Sequence, residues 1–142
     1  MKWAAAVTWF LTIDGGLVLL GSWLRAGGLQ PRHRHGPRIG PELVGVHLTL
    51  AGTAFALWIV YLAGGRLAFA VAALCILAAV ATLGFTMFGI WLVHRVAASA
   101  RPPDLPRTSR RGDQRLPVAV IALHGLFAAT TLVLVALVVI TA

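Results

Sequence analysis

Four long apolar runs, nearly free of charge, leave this chain one class of structure. They cover residues 3–24, 43–62, 67–93 and 117–141, and the third contains no charged residue at all. A bilayer core about 30 Å thick is crossed by roughly 20 apolar residues of helix, a length that each run meets. The composition agrees: 59% of residues are hydrophobic and 11% charged, where about a quarter are charged in soluble domains. The expected fold is an all-α integral membrane protein, a bundle of four transmembrane helices forming one domain over 1–142. The spans consume most of the chain and leave no separate soluble domain.

Charge sets the expected orientation. Ten of the twelve Lys and Arg residues fall in two segments. Arg25, Arg32, Arg34 and Arg38 occupy one; Arg95, Arg101, Arg107, Arg110, Arg111 and Arg115 occupy the other. By the positive-inside rule both loops are cytoplasmic and both termini outside, in a bacterial plasma membrane. Lys2 and Arg66 alone lie on the outer side, Arg66 in a tight turn with Gly64 and Gly65. Six of the seven prolines fall between 25–41 and 95–116, so both loops are expected to be irregular, while Pro117 opens the fourth helix. Trp3, Trp58 and Tyr61 at the outer ends, and Trp23 and Trp91 at the inner ends, are expected to be interfacial aromatics. The net charge of +8 is juxtamembrane and suits anionic lipid headgroups rather than nucleic acid. Asp14 interrupts the first run, which reads as an uncleaved span and not a signal peptide. The single cysteine, Cys75, excludes an internal disulfide, and mid-span it is expected to pack as a small buried apolar residue.

Polar groups inside a membrane are costly and therefore informative. Asp14 lies about halfway along the first span at a rise of about 1.5 Å per residue. Thr53, Thr82, Thr130 and Thr131 fall near the same midplane in the other spans. A neutral Asp14 bonded to these hydroxyls would form a polar layer holding the bundle together. The alternatives are a proton relay in a small carrier and an Asp14 that faces a partner subunit.

The second polar set is histidine. His47 in the second span and His124 in the fourth are expected at similar depth on the cytoplasmic half, with His94 at the inner end of the third. Two imidazoles at matched depth on different helices offer one axial nitrogen to each face of a haem b. Gly45, Gly52 and Gly125 would then let the macrocycle approach the helices, and His94 with Arg95 or Arg101 would meet its propionates. Structural hydrogen bonding to a neighbouring helix is the plainer alternative. A bare metal site lacks nearby acidic or thiol ligands, so no metal is expected there. His33 and His35 stand between arginines that repel cations and read as a solvated loop.

No phosphate loop, nucleophile elbow, paired carboxylates or zinc-protease motif is present, and no GxxxG pair falls within a span. Four spans with His47 and His124 at matched depth are similar in outline to small b-type membrane cytochromes. That resemblance implies at most one haem, since the outer half has no second histidine pair. The residues point first to a non-enzymatic accessory or scaffolding protein working with a partner membrane subunit or by self-association. A single-haem membrane cytochrome or haem-bearing anchor is the second reading, and a proton-coupled carrier using Asp14 the third.

Overall fold

The computed structural model describes residues 1–29, 39–100 and 116–142, and over them the chain forms four helices: α1 Lys2–Arg25, α2 Pro41–Gly64, α3 Leu67–Ser99 and α4 Val118–Ile140. All four are long and apolar enough to cross a membrane, as a multi-pass protein requires. Arg32, Arg34, Arg38, Arg101, Arg107, Arg110, Arg111 and Arg115, with His33 and His35, lie outside the described residues.

The helix ends follow from local chemistry. Pro41 sits in the first turn of α2, where a missing N–H costs nothing, and Glu42 beside it complements the helix dipole. Gly65 ends α2 in the left-handed conformation at φ 67°, and its N–H bonds the Tyr61 carbonyl at 2.8 Å. An L side chain resists that conformation, so glycine makes the tight α2–α3 turn available. The end of α1 uses the same device: Gly27 has φ 82°, and Gly28 N–H reaches back to the Trp23 carbonyl at 3.0 Å. One boundary departs from expectation. The sequence places Arg95 at the start of a loop, yet α3 runs on to Ser99 because no glycine or proline follows Ile90 until Pro102.

α2 and α3 pack as an antiparallel hairpin, α1 packs along α4, and α3 joins the two pairs by packing on α4. α1 and α2 instead meet through rings. Trp9 lies 5.7 Å from Phe55 and 6.0 Å from Trp58, and Phe10 lies 5.2 Å from Phe55, between centroids. These contacts belong to a core cluster at the end of the bundle that carries the α2–α3 turn, with Ala5, Ala54, Ala73, Leu77 and Val135. The opposite end, which carries the two long loops, has its own cluster of Trp23, Ile39, Trp91 and Leu116. There the Trp23 indole N–H donates to the Ile39 carbonyl at 3.3 Å and ties the start of α2 to the end of α1.

Two expectations about facing are corrected. Trp58, Trp23 and Trp91 are buried inside the bundle and do not form an outward belt, whereas Trp3 is exposed. Wide indoles fill the space that small residues such as Ala5, Ala54 and Ala73 leave between helices. Cys75 is exposed on the outer face of α3 and is not a core residue.

Candidate functional site

Between the two apolar clusters lie two histidine seats, His124 against Gly15 and Gly16 of α1 and His47 against Gly84 of α3. His124 projects from α4 onto α1. Its Nδ1 lies 2.9 Å from the Thr12 carbonyl, which can only accept, so Nδ1 carries the proton and donates. In the neutral ring this leaves Nε2 as a free acceptor. The α1 side of the seat is Gly15 and Gly16. A Cβ on Gly15 would lie 3.3 Å from His124 Cβ, and one on Gly16 would lie 3.2 Å from His124 Cε1. Both distances are tight, so the absence of side chains at these two positions is what lets the imidazole rest against α1.

His47 repeats this arrangement in the other helix pair. It projects from α2 onto α3, where a Cβ on Gly84 would lie 3.6 Å from its Cε1. The ring turns toward the backbone of Val80, four residues before that glycine, just as Thr12 lies four residues before Gly16. Its Nδ1 is buried and has no hydrogen-bond partner. The indole nitrogens of Trp58 and Trp91 are in the same state, but an indole N–H can only donate, whereas an imidazole nitrogen offers a ligating lone pair. His124 thus uses Nδ1 toward a neighbouring helix and leaves Nε2 open, the pattern of a metal-ligating imidazole held by a backbone carbonyl, while at His47 the buried Nδ1 is unpartnered.

The other expected residues are placed differently. His94 is buried near the loop end of α3. Arg95 is exposed there, with its guanidinium 5.4 Å from the Trp91 ring centroid. Gly45, Gly52 and Gly125 have nothing within 4 Å of a built Cβ, so open space lies beside them and neither histidine ring rests on them. Among the described residues no group of three or more His, Cys, Asp or Glu side chains gathers in metal-binding fashion.

The structure does not assemble the expected polar layer around Asp14. Asp14 is exposed on the outer face of α1. Thr53 donates to the Thr49 carbonyl at 2.9 Å, Thr82 to the Ala78 carbonyl at 3.0 Å and Thr130 to the Leu126 carbonyl at 2.9 Å. A hydroxyl satisfied by its own helix has no need of a partner across the bundle. Thr131 also reaches a carbonyl of its own helix, Phe127 at 2.8 Å, but it is buried and its Oγ1 lies 2.9 Å from Thr8 Oγ1 of α1, the one contact of this set that crosses between helices. Sequence reasoning missed Thr8 and Thr12. Their signal was a stripe of Thr8, Thr12, Gly15 and Gly16 along one side of α1, at the spacing of successive helix turns.

Compared with family models, curated proteins and solved structures, the chain finds no match.

Proposed function

We propose that the chain is a small accessory subunit of a bacterial plasma membrane, acting with a partner membrane protein and holding one haem b between His47 and His124. In this reading both termini are outside and the arginine-rich loops face the cytoplasm. The observation that carries it is the state of the two rings. His124 keeps Nε2 open while Nδ1 is held by Thr12, and His47 keeps an Nδ1 that is buried without a partner. Leaving a buried polar atom unsatisfied costs on the order of 1–3 kcal/mol, and a ligand at that nitrogen removes the cost.

The donor set fits haem better than a bare ion. Two imidazoles with no third ligating side chain among the described residues suit a group that brings its own four equatorial nitrogens and needs two axial ones. Zinc in a structural protein site takes four ligands from side chains. A haem b held here would supply one-electron transfer. Arg25 and Arg95, exposed at the loop end, are cations available to haem carboxylates or to anionic lipid phosphates. The carrier reading needs an oligomer in which Asp14 opens to water, and Asp14 is exposed on α1.

The test is an absorption spectrum of the full chain, expressed with ample haem and purified in mild detergent, oxidised and then dithionite-reduced. The expected result is a Soret band with sharp reduced α and β bands, lost in both His47→Ala and His124→Ala while helicity is kept. A featureless visible spectrum would overturn the haem and leave the two histidines as clasps within helix pairs.

A further inference from the structure

We infer that the outer face of α1 around Asp14 docks a transmembrane helix of a different protein, one that carries a Lys or Arg in the middle of its apolar span. The inference rests on the accessory-subunit half of the reading above and is independent of the haem.

Asp14 is the only acidic residue within the described spans apart from Glu42 at the very start of α2. It is exposed among large apolar side chains that are exposed with it: Val7, Phe10, Leu11, Leu17 and Val18. These apolar groups are at ease in lipid and need no partner. A carboxyl in the same place is expensive in hydrocarbon whether or not it is ionised, and such groups are met by a partner charge, a hydrogen bond or water.

Among the described residues none supplies a charge or a hydrogen bond to it. The described cations sit at the ends of the spans: Lys2 and Arg66 at the turn end, Arg25 and Arg95 at the loop end. The chain is about three helical turns from Asp14 to Arg25 and slightly more to Lys2. A second copy would bring only the same side chains, so it has no mid-span cation to offer. The complement proposed for Asp14 therefore comes from another chain.

The surface around Asp14 also has room for a helix. Three of the four seams in the bundle are packed helix on helix, α1 on α4 and α3 on α2 extensively and α4 on α3 over a smaller contact. The fourth, between α1 and α2, is closed by the ring contacts of Trp9, Phe10, Phe55 and Trp58 near the turn end. Asp14 lies one helical turn beyond Phe10 on the same side of α1, just past the point where that closure stops. Gly21, two turns further along, has nothing within 4 Å of a built Cβ. Small residues let a neighbouring backbone approach, which is how helices associate in lipid. A docked helix would lie along α1 over this seam, with its cation at the depth of Asp14.

The test uses a designed probe. A Leu- and Ala-rich transmembrane peptide with one central Lys is labelled and co-reconstituted with the labelled full chain in phosphatidylcholine vesicles, and association is read by energy transfer. Peptides with central Leu and central Asp serve alongside it. The Lys peptide should associate with the wild-type protein roughly tenfold more tightly than with Asp14→Asn, the size of an interhelical polar contact in a membrane. The Leu and Asp peptides should show no such difference. Charge reversal gives the second arm: Asp14→Lys should prefer the Asp peptide. Because Asp14 is exposed, both variants should keep wild-type helicity. Equal association of Lys and Leu peptides would overturn the inference, as would binding indifferent to Asp14→Asn. Energy transfer between two labelled copies that disappears in Asp14→Asn, with no Lys-peptide preference, would assign the face to self-association instead. The absorption spectrum of Asp14→Asn should match wild type, so a failure of docking and a failure of the haem are read separately.

Discussion

The seat of His124 on α1 makes a prediction that separates two adjacent glycines by the atoms they face. A Cβ on Gly16 meets the imidazole ring, at Cε1, 3.2 Å away, whereas a Cβ on Gly15 meets His124 Cβ at 3.3 Å and Cα at 3.6 Å. Truncating His124 to alanine removes the ring but keeps Cβ and Cα. The His124→Ala background should therefore relieve Gly16→Ala and leave Gly15→Ala unrelieved.

The magnitudes follow from opposing effects. Overpacking a tight seam costs typically about 1–3 kcal/mol, and replacing a helical glycine by alanine returns up to about 1 kcal/mol. For Gly16→Ala alone the ring can shift by a few tenths of an ångström, so the cost of the clash and the gain in helix propensity are comparable. The difference between backgrounds is cleaner. With the imidazole of His124 present the clash is felt; in the His124→Ala background only the propensity gain remains. A coupling of about 1–2 kcal/mol between Gly16→Ala and His124→Ala is expected, within the range for residues in contact. Gly15→Ala should cost about 1 kcal/mol or more in both backgrounds and show little coupling, because its clash is with atoms fixed to the α4 backbone. Gly21→Ala, with nothing within 4 Å of its Cβ, is the additive control. His124→Ala itself loses the bond to the Thr12 carbonyl, worth about 0.5–1.5 kcal/mol. The assay is reversible unfolding in mixed micelles by titration with dodecyl sulfate, followed by helicity. Rescue of both glycine variants by His124→Ala, or of neither, would refute the placement of the ring over Gly16.

The threonines and the topology can be tested in the same preparation. Thr131→Val should destabilise by about 1 kcal/mol, the scale of an interhelical hydroxyl contact in a membrane, since its Oγ1 meets Thr8 of another helix. Thr53→Val and Thr82→Val should be near neutral, because both hydroxyls bond carbonyls of their own helices; equal effects at all three would contradict the hydrogen-bond assignment. For orientation, Arg66→Cys and Leu29→Cys are made singly in a Cys75→Ala background and treated in intact cells with a membrane-impermeant maleimide. Labelling of the first and protection of the second is expected for arginine-rich loops inside, and the reverse pattern would invert the topology.

The number of helices and nearly all of their ends were legible because lipid demands them. Runs of the right length, bounded by Pro41, by Gly64 and Gly65, and by Pro117, leave the backbone no other way to satisfy its polar groups. The end of α3 was not legible at Arg95, because a charge marks the edge of the apolar run and not the edge of the helix, and the stretch through Ser99 contains good helix formers. For His47 and His124 the sequence offers an expected depth by counting residues, but the glycines they rest on were not legible. Gly45, Gly52 and Gly125 are close to the histidines in sequence, but the seats are Gly84 across α3 and Gly15 and Gly16 across α1.

Depth along a helix is written in the sequence of a membrane protein, while rotation about its axis is nearly silent. In water an apolar stripe marks the buried face, because the other face must be polar. In lipid both faces are apolar, so hydrophobicity ceases to tell inside from outside. Trp58 and Phe10 are both large apolar rings, yet one is fully buried and the other is exposed. The information then passes to the few small and polar residues. Gly15, Gly16 and Thr12 turn α1 toward His124, and Thr8 turns it toward Thr131. Those four residues fix the rotation of α1, and Asp14 faces outward as a consequence: the contacts that fix α1 against α4 leave its carboxyl no place in the bundle. The same reasoning that places the histidine seat in the interior thus places Asp14 on the outer face of α1.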